Sequence, residues 1–264
     1  MAPLVNRDWT ALPPAYEEEF PLLWRSALRS VARQNAVYQR SHQYSEQSKI
    51  QGSQPMKRLD YQYANRVALK PQGHLLEASF LSLLNQRRTR GDFNGSSVSL
   101  QDLSTLLHFS YGFREGEFSP GQPRRFVPSA GGFYGLEIFV FALNIEGVEP
   151  SLYHYEPLRG ELRKIGATRT YLAADVPLLI PTVQGSAAVL GVAGDLNRWR
   201  QKYGVLAERF ALLESGHVGQ NISLISAALN LRLLAIGNPA YLTQALELDP
   251  NSHLPLMSWA IGPA

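Results

Sequence analysis

The chain has 264 residues, a formal net charge of +3 and no cysteine, a length that suits one large domain, or one domain with an N-terminal extension, around a sizeable core. Without cysteine there is no disulfide, thiolate metal site or cysteine nucleophile, as fits a reducing cytoplasm. The N-terminus Met1-Ala2-Pro3-Leu4-Val5 lacks a secretory pattern, and no apolar run approaches the roughly 20 residues of a membrane helix, so the expectation is a cytoplasmic protein without membrane contact.

In chain order, residues 20–31 place Leu23, Ala27 and Val31 on one side of a predicted helix, and a polar stretch at 39–54 is compatible with loop or helix. The main domain is expected from residue 73 to 264, with 1–72 an extension that guides a peptide or packs at a dimer interface. A helix predicted over 75–84 delivers the chain to Arg87-Arg88-Thr89-Arg90. Those arginines read equally well as solvated helix-end charges and as forked donors for a phosphate. Ser99-Leu100-Gln101-Asp102 resembles a capping box that opens a helix through Leu103, Leu106 and Leu107, ended by Gly112.

The stretch 124–137, Arg-Arg-Phe-Val-Pro-Ser-Ala-Gly-Gly-Phe-Tyr-Gly-Leu-Glu, runs into the apolar strand candidate 138–143. Its glycines allow a flat ligand to approach backbone, although such a loop can also simply turn. Residues 151–155 and 161–165 form a predicted hairpin around Pro157 and Gly160, and 187–193 reads as a central strand. Apolar positions from 205 to 233 mark one long helix, and 254–261 an end strand. The order of elements predicts an α+β domain: a mixed, mainly antiparallel sheet flanked by helices.

The six histidines stand singly, which argues against a metal site, and neither a Gly-x-Ser-x-Gly elbow nor a phosphate loop is present. No basic and aromatic interleaving suggests nucleic acid. Lys202-Tyr203 reads as a surface pair or as a general acid/base in which the lysine lowers the tyrosine pKa or is itself desolvated. Glu214 and Asn221 fall on the apolar face of the long helix shared by Phe210 and Ile225, where polar groups need a cofactor, a backbone loop or another subunit as partner. His217 reads as structural.

Taken together, Arg87-Arg88-Thr89-Arg90-Gly91-Asp92-Phe93, Pro128-Ser129-Ala130-Gly131-Gly132-Phe133-Tyr134, Leu136-Glu137, Lys202-Tyr203, Leu213-Glu214-Ser215-Gly216 and Gln220-Asn221 resemble SagB-type thiazoline/oxazoline dehydrogenases of the FMN-dependent nitroreductase superfamily. The pattern is similar to that of the azole-forming dehydrogenase of microcin-type biosynthesis, from about residue 75 to 262. The resemblance implies a nitroreductase-like fold and an FMN held in a homodimer. Arg87, Arg88 and Thr89 would bind its phosphate and ribityl chain with Arg90 nearby. Ser129, Ala130 and Gly131 would lie against the isoalloxazine, with Gln220 and Asn221 also in the cofactor site.

Lys202 and Tyr203 match the family's catalytic pair. An azoline on a precursor peptide would lose a hydride to the flavin and a proton to this pair, dioxygen would reoxidise the flavin, and a cyclodehydratase complex would be the working partner. The resemblance leaves room for a carrier-protein-bound thiazoline oxidase, an NAD(P)H-dependent nitro/quinone reductase or a flavin-free scaffold. Two positions depart from the pattern: Gly91 stands where a second arginine is common, and Gly135 where proline is usual. The second exchange is expected to loosen the loop.

Overall fold

The computed structural model describes residues 65–115, 124–165, 175–237, 245–246, 248–249 and 251–264; the helix expected at 20–31 and the polar stretch at 39–54 lie outside them. Among the described residues seven strands form one sheet: β1 (Arg66–Ala68), β2 (Leu136–Ala142), β3 (Ser151–Glu156), β4 (Glu161–Lys164), β5 (Ala188–Asp195), β6 (Leu231–Ile236) and β7 (His253–Pro263). Their order is β1-β4-β3-β2-β5-β7-β6, and every pairing among the described strands is antiparallel. β1 lies before residue 73, so the sheet begins inside the segment assigned to the extension. β7, expected at the end of the sheet, is interior, between β5 and β6.

β2 and β5 are buried along their whole length because both sheet faces are covered. Leu136, Ile138, Val140, Leu190 and Val192 pack toward the larger core, while Phe139, Phe141, Val189 and Ala193 point to the other. The helices are α1 (Phe80–Gln86), α2 (Leu100–Tyr111), the single turn α3 (Val176–Leu179), α4 (Leu196–Tyr203) and α5 (Ala207–Ala228). Ser99 caps α2 as expected, its Oγ accepting from the Asp102 N–H at 3.0 Å.

Three boundaries differ from the sequence reading. Residues 73–76 form a separate 3₁₀ turn, and α1 starts only where Ser79 Oγ accepts from the Ser82 N–H. The apolar stripe assigned to one helix through 233 is interrupted by Asn230, whose φ of 53° turns the chain out of α5 and into β6. The short helix α4 was not expected. Asp195 caps it through the Asn197 N–H, and Gly204, at φ 49°, ends it. Among the described residues no helix is long and apolar enough to cross a membrane.

Candidate functional site

The glycine loop between residue 124 and β2 owes its shape to left-handed backbone. Gly131 and Gly132 have φ of 64° and 70°, and Tyr134, a residue with a side chain to accommodate, has 49°. Ser129 closes the loop from inside: its Oγ accepts from the Tyr134 N–H at 2.9 Å, and its carbonyl accepts from the Gly132 N–H at 3.1 Å. Gly131 is exposed, and Ala130 is half-buried beside it.

The last turn of α4 brings Lys202-Tyr203 to this loop. A Cβ on Gly131 would stand 2.8 Å from Tyr203 Oη, so the phenol is in contact with the glycine. The Tyr203 ring is held edge-on to Phe133 at 6.1 Å and tilted against Phe210 at 4.6 Å. Lys202 is exposed, and its ammonium lies 5.3 Å from the Tyr203 ring centroid.

Behind the loop lies a buried polar cluster, most of which sequence reasoning did not find. Arg198, 2% exposed, donates to the Tyr134 carbonyl at 2.8 Å, pairs with Glu137 on β2, and places its Nε 3.2 Å from Asp195 Oδ2. Glu137 also meets His154 Nε2 at 2.7 Å. Burial pushes the Glu137 carboxyl up, but Arg198, the His154 hydrogen bond and the charges of His154 and Arg125 outweigh it and bring its pKa down to about 2.

Glu214 on α5 receives the Tyr111 hydroxyl at 2.7 Å. Burial nevertheless raises its pKa above the ordinary carboxylate value. Tyr111 in turn accepts the Leu136 N–H at 2.9 Å, and Arg125 stacks 4.1 Å above the Tyr111 ring. Asn221 Nδ2 donates to the Phe126 carbonyl at 3.4 Å, and Gln220 is exposed. Among the described residues, the polar face of α5 meets Tyr111 of α2 through Glu214 and the loop before β2 through Asn221.

At the other end of α5, a cavity of about 380 Å³ is lined by Arg88, Arg90 and Arg232, together with Ser223, Ser226 and Asn230. Arg88 donates to the Asn85 carbonyl at 2.7 Å, and the Arg90 N–H is fixed to the Leu233 carbonyl at 2.7 Å. Arg232 pairs with Asp92, whose pKa falls chiefly through that hydrogen bond. The sequence reading did not single out Arg232, which the first residues of β6 bring to the wall. Arg87 is half-buried and Thr89 exposed, and neither lines the cavity.

Phe210, beside Tyr203, and Ser226, in the cavity wall, are sixteen residues apart on α5, about 24 Å at 1.5 Å per residue. One chain therefore sets the arginine cavity and the glycine loop at opposite ends of the helix. Phe80 and Leu81 on α1 are 67% and 68% exposed, and Leu212 and Leu213 on α5 are exposed as well.

The two departures from the resembled pattern are both packed. A Cβ on Gly91 would meet the Leu234 side chain at 3.0 Å. Gly135 is not loosened: a Cβ there would stand 2.6 Å from the buried Trp199 indole, and its carbonyl accepts from the Asp195 N–H at 2.8 Å.

Residues 84–262 match the model of the Nitroreductase family. A Methanocaldococcus jannaschii protein assigned as a nitroreductase is 29% identical over 190 residues, 70% of this chain and 91% of that protein. The solved structure of a Ralstonia eutropha protein assigned as a nitroreductase is similar with a TM-score of 0.62 at 20% identity, over 81% of this chain and 96% of that chain. A chain of the Escherichia coli microcin synthetase McbBCD complex, solved with truncated pro-MccB17 bound, has a TM-score of 0.57 at 20% identity, over 82% of this chain and 80% of that one. Nitroreductase homologues have been solved with FMN bound.

Proposed function

The chain belongs to the nitroreductase family and has its fold, and from that premise we propose that it is an FMN-dependent azoline dehydrogenase. Its substrate is a ribosomally made precursor peptide whose thiazoline or oxazoline rings it oxidises to thiazoles or oxazoles. It works as a homodimer beside a cyclodehydratase in the cytoplasm, and residues 1–72 guide the peptide or pack at the dimer interface. The observation that carries this reading is the seating of Tyr203 Oη against Gly131. A phenol able to take a proton stands where the loop leaves its backbone open to a flat ring. The likeness to a chain of a complex that holds a precursor peptide supports the same substrate class.

The arginine cavity fits the phosphate end of FMN. Beyond its three guanidinium groups, Ser226 Oγ and Arg232 Nε are buried there with no hydrogen-bond partner, a donor set suited to phosphate oxygens. Arg88, Arg90 and Arg232 would hold the phosphate, with Arg87 and Thr89 following the ribityl chain. Ser129, Ala130 and Gly131 would support the ring, with Gln220 and Asn221 on the adjoining turn of α5. These two halves lie at opposite ends of α5, which supports a site completed by a second protomer, and the exposed leucines and phenylalanine of α1 and α5 would supply apolar surface for that contact. Bound FMN supplies the two-electron sink that takes the hydride lost by the azoline.

The protein's own task is to orient the ring and manage the proton. Tyr203 takes the proton, and the Lys202 ammonium stands beside its ring as the second member of the pair. Phe133 and Phe210 fix the phenol in place.

Purified protein incubated with a cyclodehydrated precursor peptide, without nicotinamide, should remove two hydrogens per ring by mass spectrometry. Tyr203→Phe and Lys202→Ala should keep the flavin absorbance and lower turnover by roughly 10²–10⁴. Full azole formation by both variants would refute the assignment, and so would nitroaromatic reduction with NADPH as the sole activity. A colourless protein that cannot be reconstituted with FMN would point to a scaffold.

A further inference from the structure

We propose that Arg198 is the positioning residue that fastens the glycine loop to the helix carrying Lys202-Tyr203, so that the base and the ring-supporting backbone move as one body; this rests on the azoline dehydrogenase reading above. Arg198 sits one turn before Lys202 on α4 and is 2% exposed. Its fork reaches two elements outside its own helix, the Tyr134 carbonyl at 2.8 Å at the loop exit and Glu137 on β2, while Asp195 at the cap of α4 lies beside its Nε at 3.2 Å as a further ion-pair partner without a hydrogen bond. An ammonium is a compact point charge without the rigid planar fork that aims one donor at the Tyr134 carbonyl and another at Glu137.

The backbone of Tyr134 shows what the tether holds. Its φ of 49° is costly for a residue with a side chain. In that conformation its N–H is bonded to Ser129 Oγ while its carbonyl is bonded to Arg198. Both polar groups of the strained residue are therefore fixed, one within the loop and one to α4. Between these anchors lies Gly131, whose contact with Tyr203 Oη depends on both elements keeping their places. Glu137 keeps the guanidinium from being a lone buried charge, and His154 fixes the carboxylate from its other side.

The test is Arg198→Lys in the full chain loaded with FMN. Hydrogen exchange should rise on the order of tenfold in both segments 129–135 and 196–203, with the remaining sheet amides unchanged. On cyclodehydrated peptide, kcat should fall on the order of tenfold while KM and flavin content stay within about twofold. If the lysine variant does not fold, Arg198→Met combined with Glu137→Gln removes the buried charge pair together and should show the same exchange pattern. Unchanged exchange in either segment, or a loss confined to KM or flavin content, overturns the proposal. Should the parent protein not oxidise azolines while Arg198→Lys loosens both segments, the tether stands and the assigned reaction falls.

Discussion

Replacing Tyr111 by Phe removes one oxygen from the centre of the buried polar cluster and leaves the ring packing in place. That oxygen accepts the Leu136 N–H at 2.9 Å and donates to Glu214 Oε1 at 2.7 Å, and Tyr111 is 1% exposed. Each buried group left without a partner costs about 1–3 kcal/mol, so the substitution should cost roughly 2–6 kcal/mol. The Arg125 guanidinium keeps its aromatic face and offsets none of this loss. Tyr155 supplies the internal control. It is equally buried, but its hydroxyl has no hydrogen-bond partner among the described residues, so Tyr155→Phe should cost less than about 1 kcal/mol. Urea unfolding followed by tryptophan fluorescence measures both, and for a chain of this size each kcal/mol also moves Tm by about 2–4 °C. If Tyr111→Phe costs no more than Tyr155→Phe, the cluster does not fix the loop exit as argued.

Glu214→Gln should change the pH dependence of stability. Burial raises the folded carboxyl's pKa, so its contribution is complete below the ordinary carboxylate value of about 4.3 and is lost as pH rises through the folded value. The glutamine variant should therefore gain on the parent as pH rises through that window, and parallel unfolding curves would contradict this. Gly131→Ala and Gly147→Ala share a positive φ and a backbone cost of about 1–2 kcal/mol, but only the first places a methyl against Tyr203 Oη and Phe133. Turnover should fall with Gly131→Ala and be retained with Gly147→Ala; equal activities would show that the glycine–phenol contact is dispensable. Arg88→Ala and Arg232→Ala should each weaken FMN binding on the order of tenfold or more by fluorescence titration, while Thr89→Ala, outside the cavity, should change it less. Equal effects at all three positions would move the phosphate elsewhere.

Local chemistry made much of this molecule legible. The Ser99 and Asp102 box, the apolar runs of β2 and β5, and the hairpin around Gly160 all carry their structural cause within a few residues. Helix α4 was readable too, since Asp195, the spacing of Leu196, Trp199 and Tyr203, and Gly204 form a capped stripe, but its many polar residues obscured it. The α5–β6 boundary was hidden because Leu229 and Leu233 continue the helical spacing across Asn230. The cluster behind the loop had no local signature. Glu137 and Arg198 are 61 positions apart, and Tyr111 and Glu214 are 103 apart, so only the fold brings them together. Lys202-Tyr203 and the glycine loop were identified separately; the fold adds their contact at Gly131. The arginine run was readable as a phosphate candidate, but the selection of Arg88 and Arg90, and the addition of Arg232, depended on β6.

The Trp199 indole lies 2.6 Å from where a side chain on residue 135 would begin and also approaches residue 194, another glycine. Residues 135 and 199 thus share a single volume, and neither can change without regard to the other. Giving up the indole first would open a cavity costing about 3–5 kcal/mol, whereas adding a ring at 135 first would drive it into the indole. The two positions are therefore coupled, and a proline placed at residue 135 to stiffen the loop would destabilise it unless residue 199 were reduced in the same step.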